Sequence, residues 1–248
     1  MRGKVGEHSY YKQTGVASGL VRSINQGMSA RVKTSEEYAN VRLNNAEFGQ
    51  AGRIAKVLGR FITPKYRPMI LPFSQSKMCT VLLEAIKQDT TAPWGQRNVS
   101  SMTSGVSVLV NALNSVRKND SESYGVSIDL GENVLNVVTD ETLSTAKLNA
   151  IGADAYDIRV VAACPWIGTA SASGYGESFA RANIYDIDGA GPGDESQVNY
   201  EFRPSPPQGW PAFRQDFFVI IIMPYRTVNN SKYILQEHCT YFASEVPE

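Results

Sequence analysis

The residues whose types could do chemistry are His8 and His238, Cys79, Cys164 and Cys239, and a run of acids from Asp186 to Glu195. His238 adjoins Cys239 in what reads as the final strand. Neighbours on a strand point to opposite faces, so these two cannot serve as a nucleophile and its base. A serine triad would need either histidine beside a distant serine, and no G-x-S-x-G elbow occurs. The cysteines are odd in number, far apart and without C-x-x-C spacing, which argues against a zinc site and against a disulfide framework. Three reduced, mostly buried thiols are expected instead. Asp186-Ile187-Asp188-Gly189 through Gly193-Asp194-Glu195 resembles part of a calcium loop, yet it lacks the third odd-position ligand and the Glu twelve residues along. It reads as a solvated hairpin loop. The glycine-rich stretch Gly168–Gly176 has no following Lys and opens no helix, so it reads as a mobile or partner-contacting loop. Any two of the acids after residue 124 could meet as a carboxylate pair, but no motif singles one out. The sequence predicts a protein that is not an enzyme and takes no cofactor or metal.

Charge is distributed unevenly. Residues 1–70 carry twelve Lys/Arg against four Asp/Glu, a net +8, while residues 124–248 carry seven against sixteen, a net −9. The formal net charge of all 248 residues is zero. Such a split suggests that the basic part meets an acidic surface, in the same chain, in a neighbouring copy or in nucleic acid. Tyr10, Tyr11, Lys12, Arg22, Arg31 and Lys33 interleave rings with cations as a strand-binding surface does. Nucleic acid is the weaker reading, because no named binding motif matches. No stretch approaches the roughly 18 apolar residues of a membrane span, and the N-terminal MRGKVGEHSYYKQTG has no apolar signal region, so synthesis in the cytoplasm is expected.

The elements that must position these residues begin with Val32–Ile62, the strongest helix signal. Thr34-Ser-Glu-Glu37 reads as a capping box, and Tyr38, Val41, Phe48, Ala51, Ile54, Ala55, Leu58 and Ile62 recur at gaps of mostly three and four. Gly49, Gly52 and Gly59 within it suggest close approach to another backbone, and Arg42, Arg53, Lys56 and Arg60 are cations available to a partner. Thr63-Pro64 ends the helix. Before it, Tyr10–Gln13 and Gly19–Ile24 form a candidate hairpin that must lie on something, since two strands alone cannot bury a face. After it come a proline-rich connector and a second helix, Ser74–Lys87. The stretch 98–116 is ambiguous, and its alternation over Gly105–Val110 reads as strand. From Tyr124 onward the chain reads as β: Tyr124–Leu130, Val134–Thr139, Asp157–Trp166, Ser178–Asp186, Val198–Arg203, Asp216–Tyr225 and Tyr233–Ala243. DFFVIIIMPY at 216–225 is apolar on both faces and needs cover on both. The expected class is α+β, mainly β: a basic arm (1–33), a helical or mixed region with two helices (34–123) and an antiparallel β-sandwich (124–248).

The opening Gly3-Lys-Val-Gly6, the G-x-x-x-G-L-V-R run ending at Arg22, and V-K-T-S-E-E-Y-A-N-V-R-L-N-N-A-E-F at Val32–Phe48 resemble a family of uncharacterised proteins of Bacteroidetes bacteria and their tailed phages. Ala153-Asp-Ala-Tyr-Asp-Ile158 and Val228-Asn-Asn-Ser-Lys-Tyr-Ile234 are similar to that family's closing pattern. Tyr38 stands where the family usually has Gln, and the proline before the helix is absent. The resemblance implies two β-rich modules and no assigned activity. With the charge split, it leads to the expectation of a virion structural protein in the capsid, neck or tail. Its partners would be copies of itself and other virion proteins. The expected contacts are Tyr10, Tyr11, Arg22, Arg31, Lys33 and Arg42 on the basic side and Asp186, Asp188, Asp194 and Glu195 on the acidic side. An adhesion module binding glycans through Trp166, Tyr175 and Trp210 is the alternative.

Overall fold

The computed structural model describes residues 3–5, 8–11, 20–23, 28–62, 75–99, 105–116, 120–131, 134–168, 178–201, 212–214 and 216–246; within 3–23, 60–62, 164–168, 178–181 and 212–214, and at 130, only the backbone is described. The chain divides into two compact units, Met1–Asn45 and Ala46–Glu248.

The first unit contains β1 (Gly3–Val5), β2 (His8–Tyr11) and β3 (Leu20–Ser23), an antiparallel sheet in that order with Tyr10 opposite Val21. The expected hairpin is thus joined by a third strand. α1 (Met28–Thr34) follows, then a 3-10 turn (Glu36–Tyr38) leading into α2 (Ala39–Ile62). The single helix expected from Val32 is broken at Ser35, which is extended at φ −77° and ψ 137° and makes no side-chain cap. The capping box does not form, because the Thr34 hydroxyl donates back to the Ala30 carbonyl at 3.0 Å. Glu37 instead accepts from Arg31 at 2.6 Å across the break.

The second unit is built on one strand. β10 (Phe217–Val228) pairs with β6 (Ala155–Gly168) along one side; along the other it pairs first with β12 (Thr240–Glu245) and then with β11 (Ser231–Ile234). The switch of partner falls at Met223–Pro224. Proline has no N–H to give, and here it sits where one ladder stops and the next begins. Asn229 and Asn230 both have positive φ, 50° and 58°. That is the geometry of a two-residue hairpin turn whose twist suits the flanking strands. β7 (Ser178–Ala190) lies on the far side of β6, and β9 (Ala212–Arg214) continues β10's place beside the end of β6.

Both faces of β10 are covered, as its composition requires. Phe217, Val219 and Ile221 face a layer of helices: Ile54 and Leu58 of α2, Met78 and Leu82 of α3 (Gln75–Lys87), and Leu109 and Leu113 of α4 (Gly105–Ser115). Phe218, Ile220 and Ile222 face a second antiparallel sheet made of β4 (Val126–Leu130), β5 (Val134–Thr139) and β8 (Glu195–Asn199), through Leu135, Val137 and Val198. The unit is a helix–sheet–sheet stack, α+β and mainly β.

Several expectations give way here. Gly105–Val110 is helix, not strand. The buried positions Gly105, Leu109, Ala112 and Leu113 fall at helical spacing, and the alternating valines only imitate a strand. Two helices become five among the described residues, with α1, α4 and α5 (Glu141–Ile151) added. In α5 Asp140 caps the N-terminus by accepting from the Leu143 N–H at 2.7 Å, and Gly152 (φ 65°) closes the other end. The strand expected from Val198 is β8, Glu195–Asn199, which starts earlier and ends at Asn199; Phe202 and Arg203 of that expectation lie outside the described residues. The expected final strand Tyr233–Ala243 is two strands separated by a 3-10 turn at Gln236–His238, so His238 lies in a turn rather than a strand. In α2 the buried stripe runs from Ala51 to Leu58 while Val41 and Phe48 are exposed, and the nearest atom to a Cβ at Gly52 would be the Cys79 Sγ at 3.9 Å. No backbone crowds that glycine.

Candidate functional site

The helix-facing side of the large sheet turns polar beyond the helices, at the start of β6. Alternation places Asp157 and Arg159 of β6 on that side, and Asp186 and Asp188 of β7 lie beside them. Together with Met223, Lys232 and Ile234 they line a depression of about 240 Å³. Arg159 and Asp186 are cross-strand partners. The guanidinium, 6% exposed, donates from Nε and Nη2 to the two carboxylate oxygens at 2.5 and 2.6 Å. This forked geometry lets a cation stay inside a sheet. Lys232 Nζ donates to both oxygens of Asp157 at 2.7 and 2.9 Å and stands 4.2 Å from the Tyr225 ring centroid. The hydrogen bond to Asp157 raises the Lys232 pKa above its ordinary value, with the Asp157, Tyr225 and Asp188 charges adding to it. Asp157 also accepts from the Gly189 N–H at 3.1 Å. Two carboxylates are thereby matched by two cations, and Asp188 adds an exposed negative charge at the rim.

The other expected contact residues are dispersed. Asp194 belongs to the turn between β7 and β8, where its Oδ2 accepts from the Gly191 N–H at 2.6 Å and its carbonyl accepts from Thr139. Glu195 opens β8 opposite Val138. Neither lines the depression with Asp186 and Asp188. In the first unit Arg31 is exposed, paired with Glu37 and 5.8 Å from the Tyr38 ring centroid, and Lys33 is exposed. Arg42 is half-buried and bonded within its own unit. Its Nη1 donates to the Val32 and Ser35 carbonyls at 3.1 and 2.7 Å, satisfying the end of α1. Tyr10 and Tyr11 lie on β2, Arg22 on β3, and Cys164 and Trp166 on β6, with their side chains not described; Tyr175 and Trp210 lie outside the described residues. Asp157, Arg159 and Lys232 were not foreseen. The signal for them was alternation: D-x-R at 157–159 and D-x-D at 186–188 on strands that pair.

Comparison with family models, with curated proteins and with solved structures gave no match.

A second buried polar group serves the fold. Glu47, wholly buried, accepts from Arg97 at 2.6 and 2.8 Å and from the Gly95 N–H at 2.9 Å. Asp89 accepts from the Thr91 and Asn98 N–H groups at 2.8 and 3.2 Å. Together they pin the 88–99 loop to α2 and α3. The thiols of Cys79 and Cys239 are both buried, and burial raises the pKa of each, Cys239 to about 12. Neither is poised as a nucleophile at neutral pH.

Proposed function

We propose that this chain is a non-enzymatic structural protein of a tailed-phage virion, made in the host cytoplasm and working through protein–protein contacts in the capsid, neck or tail. The observation that carries the reading is the charge of its two compact units. The unit 1–45 holds seven Lys/Arg against three Asp/Glu, a net +4, and the unit 46–248 holds seventeen against twenty-one, a net −4. Units of opposite sign in one chain attract units of neighbouring copies, which is what head-to-tail assembly uses. The sandwiched core supports the reading, because a unit packed on both faces of its central sheet can bear contacts on several sides. The family resemblance of the arm and of Val32–Phe48 points the same way.

Exposed ion pairs contribute about 0–1 kcal/mol each, so several must act together. A Debye length of roughly 8 Å at physiological salt weakens them further. Analytical ultracentrifugation from low to high salt tests this on the wild type and on Arg22→Glu/Arg31→Glu. The expected result is association at low salt that salt and the reversal both abolish. A monomer at every salt concentration, unaffected by the reversal, overturns the reading. Mass spectrometry of purified particles against host surface fractions locates the protein directly.

A further inference from the structure

A sheet edge offers a row of unpaired N–H and C=O groups, and folded proteins cover such edges or blunt them. Two stretches of edge on the large sheet are covered. Asn114 of α4 donates from Nδ2 to the Ala243 carbonyl of β12 at 3.0 Å and accepts at Oδ1 from the Ala243 N–H at 2.8 Å, an amide standing in for a strand. Where β10 runs past the start of β6, Asp154 takes over. Its N–H donates to the Tyr225 carbonyl at 2.8 Å, and its Oδ2 accepts from the Thr227 N–H at 2.6 Å. β11 has no such cover among the described residues. The Leu235 N–H donates to the Pro224 carbonyl at 2.8 Å, and ladder bonds alternate along a strand. The backbones of Tyr233 and Ser231 therefore face β10, and those of Lys232 and Ile234 face outward. A lysine on an edge strand commonly blunts it. Here the ammonium is drawn back onto Asp157, at 2.7 and 2.9 Å, on the face that carries the depression. On the other face Tyr233 is 56% exposed and Val228, beside it on β10, is 45% exposed.

We propose that β11 pairs antiparallel with β11 of a second copy, about a two-fold axis at Tyr233. The inference rests on the assembly reading above and adds a contact to it. A strand that pairs with its own copy must match itself reversed. Ser231-Lys-Tyr-Ile234 does so at one register. Centred on Tyr233, the outward groups of Lys232 meet those of Ile234 in the second copy, and the reverse, each pair exchanging both backbone hydrogen bonds. Tyr233 then stands opposite Tyr233 at a position without backbone bonds, where side chains lie closest, and the two exposed rings cover one another with Val228 alongside. Centring on Lys232 instead would set like charges directly opposite. Centring on Ile234 would set Lys232 against Gln236, which lies in the 3-10 turn and is not extended. A four-residue edge is too small to hold two copies alone. It pairs where the oppositely charged units have already brought copies together.

A two-fold contact brings position 233 to itself, so one substitution tests it. Tyr233→Cys protein is oxidised mildly at low salt and its disulfides are mapped by mass spectrometry. Cα atoms directly opposed at about 4.5 Å lie within disulfide reach. The wild type, which keeps its own three cysteines, gives the background. Ser231→Cys is the control for register, because the two 231 positions would lie roughly 13 Å apart along the paired strands. A covalent dimer joined 233 to 233, with Ser231→Cys left at background, is the expected result. Equal yields from the two variants would mean that hairpin tips collide without pairing, and would overturn the contact. If Tyr233→Cys stays at background while the wild type associates, the contact is wrong and the assembly reading survives. If it stays at background and the wild type is a monomer at every salt concentration, both fail. A dimer joined 233 to 233 from a protein whose wild type sediments as a monomer throughout keeps the contact and overturns the charge reading.

Discussion

Arg159 is a guanidinium inside a sheet, and it is tolerated because Asp186 answers it across the strand with two hydrogen bonds. Asp186→Asn keeps the shape and removes the charge. We expect a loss of about 1–2 kcal/mol, below the roughly 3–5 kcal/mol of a fully buried broken pair, because the Asp186 side chain is 47% exposed and water screens it. Urea unfolding checks this, and an unchanged midpoint would show that the pair does not matter to the fold. Cys239 gives a pH signature. Its pKa is raised from 9.0 to about 12, by burial first and by the Glu237 charge second. Below pH 9 the thiol is neutral folded or unfolded. Above it the unfolded chain ionises while the folded one does not, so the stability present below pH 9 is lost between 9 and 12. By linkage this group removes about 2 kcal/mol by pH 10.5. Tyr124, Tyr156 and Cys79 are raised in the same sense by burial. Urea midpoints at pH 8 and 10.5 should fall less in Cys239→Ala than in the wild type; equal slopes would show that the thiol is not protected.

At the scale of elements, α2 tests what a glycine is for. Its sequence suggested close packing at Gly52, yet a Cβ there would meet only the Cys79 Sγ at 3.9 Å, an ordinary contact. Gly52→Ala should therefore stabilise the protein by about 0.5–1 kcal/mol through helix propensity, raising the melting temperature by roughly 1–4 °C. A lower melting temperature would mean that the helix does approach something at this position. Strands were more legible than helices here. β10 and β6 announced themselves because eight consecutive apolar residues leave no polar face to confuse. α4 was misread because Val106, Val108 and Val110 alternate, although Leu109, Ala112 and Leu113 hold the helical spacing. α5 was missed for want of an apolar stripe: Ser144 and Leu148 are its buried positions, and Leu143 is half exposed. Its ends, Asp140 and Gly152, were readable as caps. The acidic site was half legible. Asp186 and Asp188 stood out by composition, but their cations arrive from 27 and more residues away, and only strand register brings them together.

At the scale of the whole molecule, the two units predict separable roles. Removing residues 1–30 takes β1–β3 from the first unit and leaves 46–248 with its own core intact. Circular dichroism should show cooperative unfolding close to that of the full chain, while salt-sensitive association disappears. Loss of cooperative unfolding would mean that the arm is part of the second unit's core. The charge division was plain from composition. Where the units divide was not, because the boundary falls within a continuous helix that hydrophobic periodicity reads as one element.

The central place of β10 also sets the order of events at the ribosome. Ile54 and Leu58 are made early, but the strand they pack against begins at Phe217. At about 5–20 residues per second, translation takes roughly 8–30 s to span that interval. Through that time the apolar sides of α2, α3 and α4 have no sheet centre to close on. Until its last few dozen residues emerge, a nascent chain of this protein carries these apolar sides without the strand that covers them. A message truncated before Phe217 would leave β6 and both packing layers without the strand they close on.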